Sequence, residues 1–241
     1  MGQAGGVEVQ FARAKLTLSL RVVGVRDDGY HLLDAEMVTL DLADTLLFGA
    51  GDGIELIPLV DTVRFEPSLV TDALAAVGRR SFVRLEKRIP VGAGLGGGSA
   101  DAAAVLRWAG RADDVALAAS LGADVPFCCV GGRARVTGIG DEIASLPVED
   151  RRFTLLTPPF GVSTAAVYAK WDALGGPTAD GPNDLEPAAV AVEPRLVQWR
   201  DRLGDATGRT PVLAGSGSTW FIEGAFPGEG RVVTRTEAPE G

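Results

Sequence analysis

Residues 90–103 read PVGAGLGGGSADAA, in which Gly92, Gly94, Gly96, Gly97 and Gly98 fill five of seven successive positions ahead of Ser99 and an alanine-rich run. Residues without a Cβ allow tight turns and close approach of the backbone, whereas the alanines that follow favour a helix. A helix N-terminus behind such a turn offers outward N–H groups and the positive end of the helix dipole, a cradle for phosphate. The stretch before it, SFVRLEKRI at residues 81–89, reads as a strand. A plain strand-to-helix connection rarely needs so many residues free of Cβ.

The spacing narrows the kind of phosphate loop. Gly92, Gly94 and Gly97 satisfy G-x-G-x-x-G, but a dinucleotide unit also requires a second strand ending in an acidic residue about 20 positions later. Here residues 111–121, RADDVALAASL, read as a helix instead. No G-K-[ST] follows the loop, since Ser99 comes directly after Gly98, so a Walker motif is excluded too. A nucleotide phosphate loop of a third kind remains, with Pro90, Val91, Ala93, Leu95, Ser99 and Ala100 completing the expected phosphate-binding segment around the glycines.

The chain of 241 residues is 46% hydrophobic, enough for a substantial core in one large or two modest domains. Its formal net charge of -9 argues against nucleic acid or an anionic membrane as partner. An anionic ligand must therefore be held locally, by backbone amides and a few cations. Cys128 and Cys129 are the only cysteines and are adjacent, which excludes a disulfide framework and points to a reducing, cytoplasmic setting. The apolar stretch LTLSLRVVGV, residues 16–25, is interrupted by Arg21 and is neither signal peptide nor membrane span. MGQAGG at the start lacks the Ser or Thr of a myristoylation signal and reads as a disordered leader.

Along the chain, Val7, Val9 and Phe11 put apolar residues at odd positions and Leu16, Leu18 and Leu20 at even ones, so a strand irregularity is expected between Ala12 and Ala14. Beyond it Lys15, Thr17 and Ser19 share the polar face. A turn at Asp28 and Gly29 leads into EMVTLDLADTLLF, residues 36–48, which should pair back with the first strand. A short strand at 54–59 and a helix at 68–78 follow, and Ser99 is expected to cap the helix behind the loop with Asp101 in its first turn. Composition turns polar at 147–152, giving expected domains of 1–148 and 149–241. The second part reads as a strand at 153–159, a helix at 163–174, a helix around 188–203, and a second glycine cluster, LAGSGSTWFI at 213–222. The whole is α+β.

Four stretches in order resemble the GHMP small-molecule kinases: ARAKLTLSL (12–20), DGYHLLDAEMVTLDLADTL (28–46), KRIPVGAGLGGGSADAA with LGADVPF (87–103, 121–127) and AGSGSTWF (214–221). DGYHLL and GADVPF are the most specific, and resemble the branch whose acceptor is a cytidine diphosphate-linked polyol. The resemblance implies a two-domain GHMP kinase fold, with a ribosomal protein S5 domain 2-like N-terminal domain and a ferredoxin-like C-terminal one. It also implies ATP with Mg2+, a small-molecule substrate in the cleft, and a monomer or weak homodimer. Under it, Asp124 takes the proton of the acceptor hydroxyl and Lys15 neutralises charge at the reacting oxygens. Tyr30, His31 and Tyr168 hold the base. Gly215, Ser216 and Gly217 close on the acceptor's phosphates, with Ser218 and Thr219 as possible donors.

The chain departs from that pattern at Leu16, Thr17 and Leu18, where the family has I-N-L, at Ser68, where an asparagine meets the adenine, and in its short length. A GHMP kinase of another small alcohol, or a catalytically weakened nucleotide-binding homologue, remains the alternative.

Overall fold

Two long antiparallel strands, β1 (Glu8–Val25) and β2 (His31–Gly49), organise the molecule. A computed structural model describes residues 6–60 and 68–239, so the expected leader and the side chain of Ser68 lie outside the described residues. The β1–β2 turn falls at residues 27–29, where Asp28 accepts from the Tyr30 N–H at 3.3 Å and Gly29 takes φ 87°. Asp and Gly are the residues such a reversal favours.

On its other edge β2 is shared by two strands. Its last residues, Thr45 to Gly49, pair with β4 (Phe82–Lys87), and its first, Leu33 to Val38, pair with β5 (Arg133–Gly138). β3 (Gly53–Pro58) lies parallel beside β4, and β6 (Glu142–Leu146) antiparallel beside β5. A second sheet has the order β10 (Arg231–Arg235), β7 (Arg152–Leu156), β9 (Trp220–Glu223) and β8 (Val212–Leu213), all antiparallel. Four helices accompany the first sheet: α1 (Ser68–Ala76), α2 (Gly97–Trp108), α3 (Val115–Leu121) and α4 (Val125–Val130). α5 (Thr164–Ala173), α6 (Glu186–Val192) and α7 (Leu196–Thr207) accompany the second. The change of sheet falls between Leu146 and Arg152.

The strand irregularity lies between Arg13 and Lys15, but the surplus residues are on β2: Arg13 pairs with Ala43 and Lys15 with Thr39. Leu40, left out of the ladder, bridges to Thr236 beyond β10, and Glu237 N–H donates to Thr39 O at 2.9 Å. The expected single helix around 188–203 is two helices. Pro194 has no N–H to continue α6 and drives Glu193 out of the helical region, to φ −133° and ψ 84°, before α7 restarts.

Three apolar clusters follow from this layout. One joins Leu46, Phe48, Val83 and Leu85 to α1 and α2, and a second joins Leu20, Met37 and Phe127 to Leu156, Trp171 and Trp220. The third, with Leu16, Leu40, Ile89, Leu95, Phe153 and Ala214, lies between the two sheets directly behind both glycine clusters. Among the described residues no helix is long and apolar enough to cross a membrane.

Candidate functional site

The glycine loop takes the shape that its composition allows. Gly92, Gly94 and Gly96 have φ of 68°, 76° and 67°, the left-handed region that residues with a Cβ avoid. Gly96 then caps α2, which starts at Gly97, so Ser99 lies inside the first turn and does not cap it. The N–H groups of that turn have no intrahelical acceptors and open onto a cleft of about 790 Å³. That volume suits a small-molecule ligand.

Asp101 is not a solvated first-turn acid. It is fully buried and bonded to Lys87 Nζ at 2.7 Å, while its other oxygen, Oδ1, has no hydrogen-bond partner. Lys87 also donates to Asp44 Oδ2, and Asp44 Oδ1 accepts from Ile89 N–H at 2.8 Å. Burial pushes the Asp101 carboxyl up to about 8, against the pull of Lys87 and with help from the charge of Asp44. No local pattern announces this cluster, because its three members lie on β2, β4 and α2.

At the floor of the cleft Lys15 Nζ stands 3.2 Å from Asp124 Oδ2 and donates to Thr17 Oγ1 at 3.1 Å. The lysine is only 6% exposed, and its backbone N–H donates to Leu95 O at 3.0 Å, so β1 is bonded directly to the glycine loop. Its stem lies against Gly96, where a Cβ would come within 2.7 Å of Lys15 Cγ. Thr17, a departure noted in the sequence, thus supplies a hydroxyl that holds the ammonium. Asp124 precedes α4 but makes no side-chain cap bond, leaving its carboxylate with Lys15 and the cleft.

A second part of the cleft is aromatic. The His31 ring lies 4.6 Å from that of Tyr168 and 5.5 Å, edge on, from that of Trp171. His31 Nε2 is 2.8 Å from Asp172 Oδ1. Tyr30 is exposed, with the Arg26 guanidinium 5.9 Å from its ring. Burial, reinforced by the charge of Asp124, pushes the Tyr168 phenol up and keeps it neutral. The Tyr168 ring is tilted by 37° to that of His31.

Gly215 and Ser216 complete the wall, Ser216 Oγ lying 2.9 Å from Thr164 Oγ1. Every expected site residue lines this one cleft except Ala100, enclosed in α2, and Gly217, which turns behind Gly94. Ser218 and Thr219 are fully buried away from it: Thr219 Oγ1 is spent on Thr157 Oγ1 at 2.9 Å, and Ser218 Oγ has no partner. Asn183, which the sequence reading does not single out, is buried and bonded to the second glycine cluster.

Residues 68–132 match the family described as GHMP kinases N terminal domain. The 4-diphosphocytidyl-2-C-methyl-D-erythritol kinase of Ruegeria pomeroyi is 39% identical over 250 residues, covering 91% of this chain and 89% of that one. The protein of the same name from Paracoccus denitrificans is 38% identical, over 87% of this chain and 84% of its own. A crystal structure of 4-(cytidine 5'-diphospho)-2C-methyl-D-erythritol kinase is similar with a TM-score of 0.72 at 30% identity, covering 96% of this chain and 100% of that one.

Proposed function

The chain belongs to the 4-diphosphocytidyl-2-C-methyl-D-erythritol kinases, a branch of the GHMP kinases, and from that membership we propose that its cleft transfers the γ-phosphoryl group of ATP to the 2-hydroxyl of 4-diphosphocytidyl-2-C-methyl-D-erythritol. The enzyme is an ATP-dependent small-molecule kinase of non-mevalonate isoprenoid precursor biosynthesis. The observation that carries the assignment of roles is the Lys15–Asp124 pair, 3.2 Å apart beside the glycine loop.

Asp124 accepts the proton of the acceptor hydroxyl as that oxygen bonds to the γ-phosphorus and the bond to the β-phosphate oxygen breaks. Lys15, fixed by Thr17 and by the backbone bond to Leu95, holds its ammonium beside the oxygens on which negative charge gathers. The loop amides and the start of α2 hold the nucleotide phosphates, which an acidic chain must grip locally. Tyr30, His31 and Tyr168 hold the cytosine, and the turn at Gly215 and Ser216 faces the acceptor's phosphates.

No group of three metal-ligating side chains occurs among the described residues, and the single hydroxyl in the first turn of α2, that of Ser99, fits a cation that arrives on the nucleotide. Ser99, on the cleft wall, is the residue that would hold Mg2+ together with phosphate oxygens. A cation held there would supply charge neutralisation to the nucleotide's terminal phosphates. The two free cysteines support a cytoplasmic setting.

The test is turnover by the purified protein with ATP, Mg2+ and 4-diphosphocytidyl-2-C-methyl-D-erythritol, the product identified by phosphorus NMR. A new phosphomonoester signal that CMP suppresses is expected. Turnover of mevalonate or homoserine in its place would move the chain to another acceptor, and background rates with all three would overturn the reading.

A further inference from the structure

Asn183 lies in the loop between α5 and α6 and is 1% exposed. Its Nδ2 donates to Leu213 O at 2.9 Å and Gly215 O at 2.7 Å, and its Oδ1 accepts from Leu185 N–H at 2.9 Å. The buried amide therefore has both N–H groups and its oxygen satisfied by backbone. Packing alone does not call for this residue, since an apolar side chain of the same shape would fill the space without needing three partners.

What the amide holds is the second glycine turn. The two carbonyls it grips flank Ala214, and Ala214 is where the two glycine clusters touch: a Cβ on Gly94 would lie 2.2 Å from Ala214 O and 2.7 Å from Gly217 O. On the cleft side, a Cβ on Gly215 would stand 3.5 Å from Lys15 Nζ and 3.8 Å from Thr17 Oγ1. The backbone around Asn183 is in turn bonded to β1. Leu20 N–H donates to Pro182 O and Asp184 N–H to Leu20 O, each at 2.9 Å. One side chain thus links the turn to the strand that carries Lys15.

We propose that Asn183 is a positioning residue for phosphoryl transfer, its amide setting the distance between the turn at Gly215 and Ser216 and the Lys15–Asp124 pair. The inference rests on the kinase reading of the cleft. The nucleotide side is anchored independently, through Lys15 N–H to Leu95 O. Losing the amide therefore slackens the acceptor side, and a displacement of about 1 Å there costs roughly 100-fold in rate.

The decisive variant is Asn183→Asp, which keeps the shape and the acceptor for Leu185 but sets an oxygen against two carbonyls. Asp184→Asn is the comparator, because Asp184 accepts from Val22 N–H, Ala179 N–H and Arg21, none of them on the turn. Turnover per folded molecule, KM for each substrate and the melting temperature are measured for all three proteins. Expected for Asn183→Asp is a kcat about 100-fold lower with a raised acceptor KM and an ATP KM within threefold of wild type, while Asp184→Asn keeps its kcat. A wild-type kcat in Asn183→Asp overturns the proposal, as does a loss shared equally by both variants in step with their melting temperatures. Should Asn183→Asp not fold, Asn183→Ser, with one shorter donor, is judged by the same outcomes. Absence of turnover in the wild type would instead remove the kinase reading, and the proposal with it.

Discussion

Lys87 on β4 and Asp101 on α2 meet 2.7 Å apart, so the two ends of the glycine loop are joined by a buried contact. Asp44 on β2 shares the same ammonium and also receives the backbone N–H groups of Arg88 and Ile89 at the loop's start. For Lys87, burial works to lower the pKa, but the Asp101 and Asp44 carboxyls outweigh it and raise it. Burial raises that of Asp101 to about 8. The contact thus joins strand and helix while the Asp101 carboxyl sits well above the usual carboxylate range.

This arrangement sets a pH dependence. A carboxyl whose pKa is higher folded than unfolded binds its proton more tightly in the fold, so its contribution to stability is complete below about pH 4 and is lost as pH rises toward about 8. Asp101→Asn, neutral throughout, should flatten that decline. Calorimetric melting of both proteins from pH 5 to 8.5 checks it, and parallel profiles would show that Asp101 does not hold the proton.

Asp124→Asn should lower turnover by at least 1,000-fold while ATP binds within a few-fold of wild type, because the amide keeps the shape but cannot take a proton. Titration calorimetry with ATP, set beside a coupled assay, separates the two effects. Lys15→Met should lower turnover similarly, and here the nucleotide affinity should fall as well, since the ammonium stands beside the glycine loop.

Gly94→Ala should destabilise the protein by about 3 kcal/mol, combining an alanine at φ 76° with a methyl forced to 2.2 Å from Ala214 O. Urea unfolding measures the loss. The same change at Gly110, also at positive φ but with nothing within 4 Å of an added Cβ, should cost only the backbone part, about 1 kcal/mol.

Asp172→Ala should weaken competition by CMP several-fold and leave the ATP KM unchanged. The Asp172 carboxylate accepts at His31 Nε2, which fixes how the ring meets Tyr168 and leaves Nδ1 as the remaining polar atom. Inhibition constants for CMP and UMP, compared in both proteins, provide the readout.

Much of this was legible in the chain because it is local. The loop glycines, the Asp28–Gly29 turn and the strand of Lys15 each declare themselves within a few residues, and the motif around Asp124 supplied its partner. Legibility failed where the determining contact is remote. Ser99 looks like a cap until Gly96 takes the left-handed position before it. Asp101 looks like a dipole-stabilising acid until Lys87 arrives from β4. Ser218 and Thr219 look like ligand donors beside a glycine turn, yet the turn aims them inward. Pro194 did carry a local signal, but the apolar residues on either side masked it. The role of Asn183 depends on carbonyls of residues 213 and 215, and nothing near it in sequence announces them.

The bridge between Leu40 and Thr236 bears on how the protein is handled. Through it and the Glu237–Thr39 bond, the last described residues fasten the far sheet to the middle of β2, at Thr39, the pairing partner of Lys15, and at its neighbour Leu40. Thr236 and Glu237 therefore act as a clasp. Trimming the chain back to residue 235 would remove this fastening at the strand position that pairs with Lys15, without touching Lys15 itself.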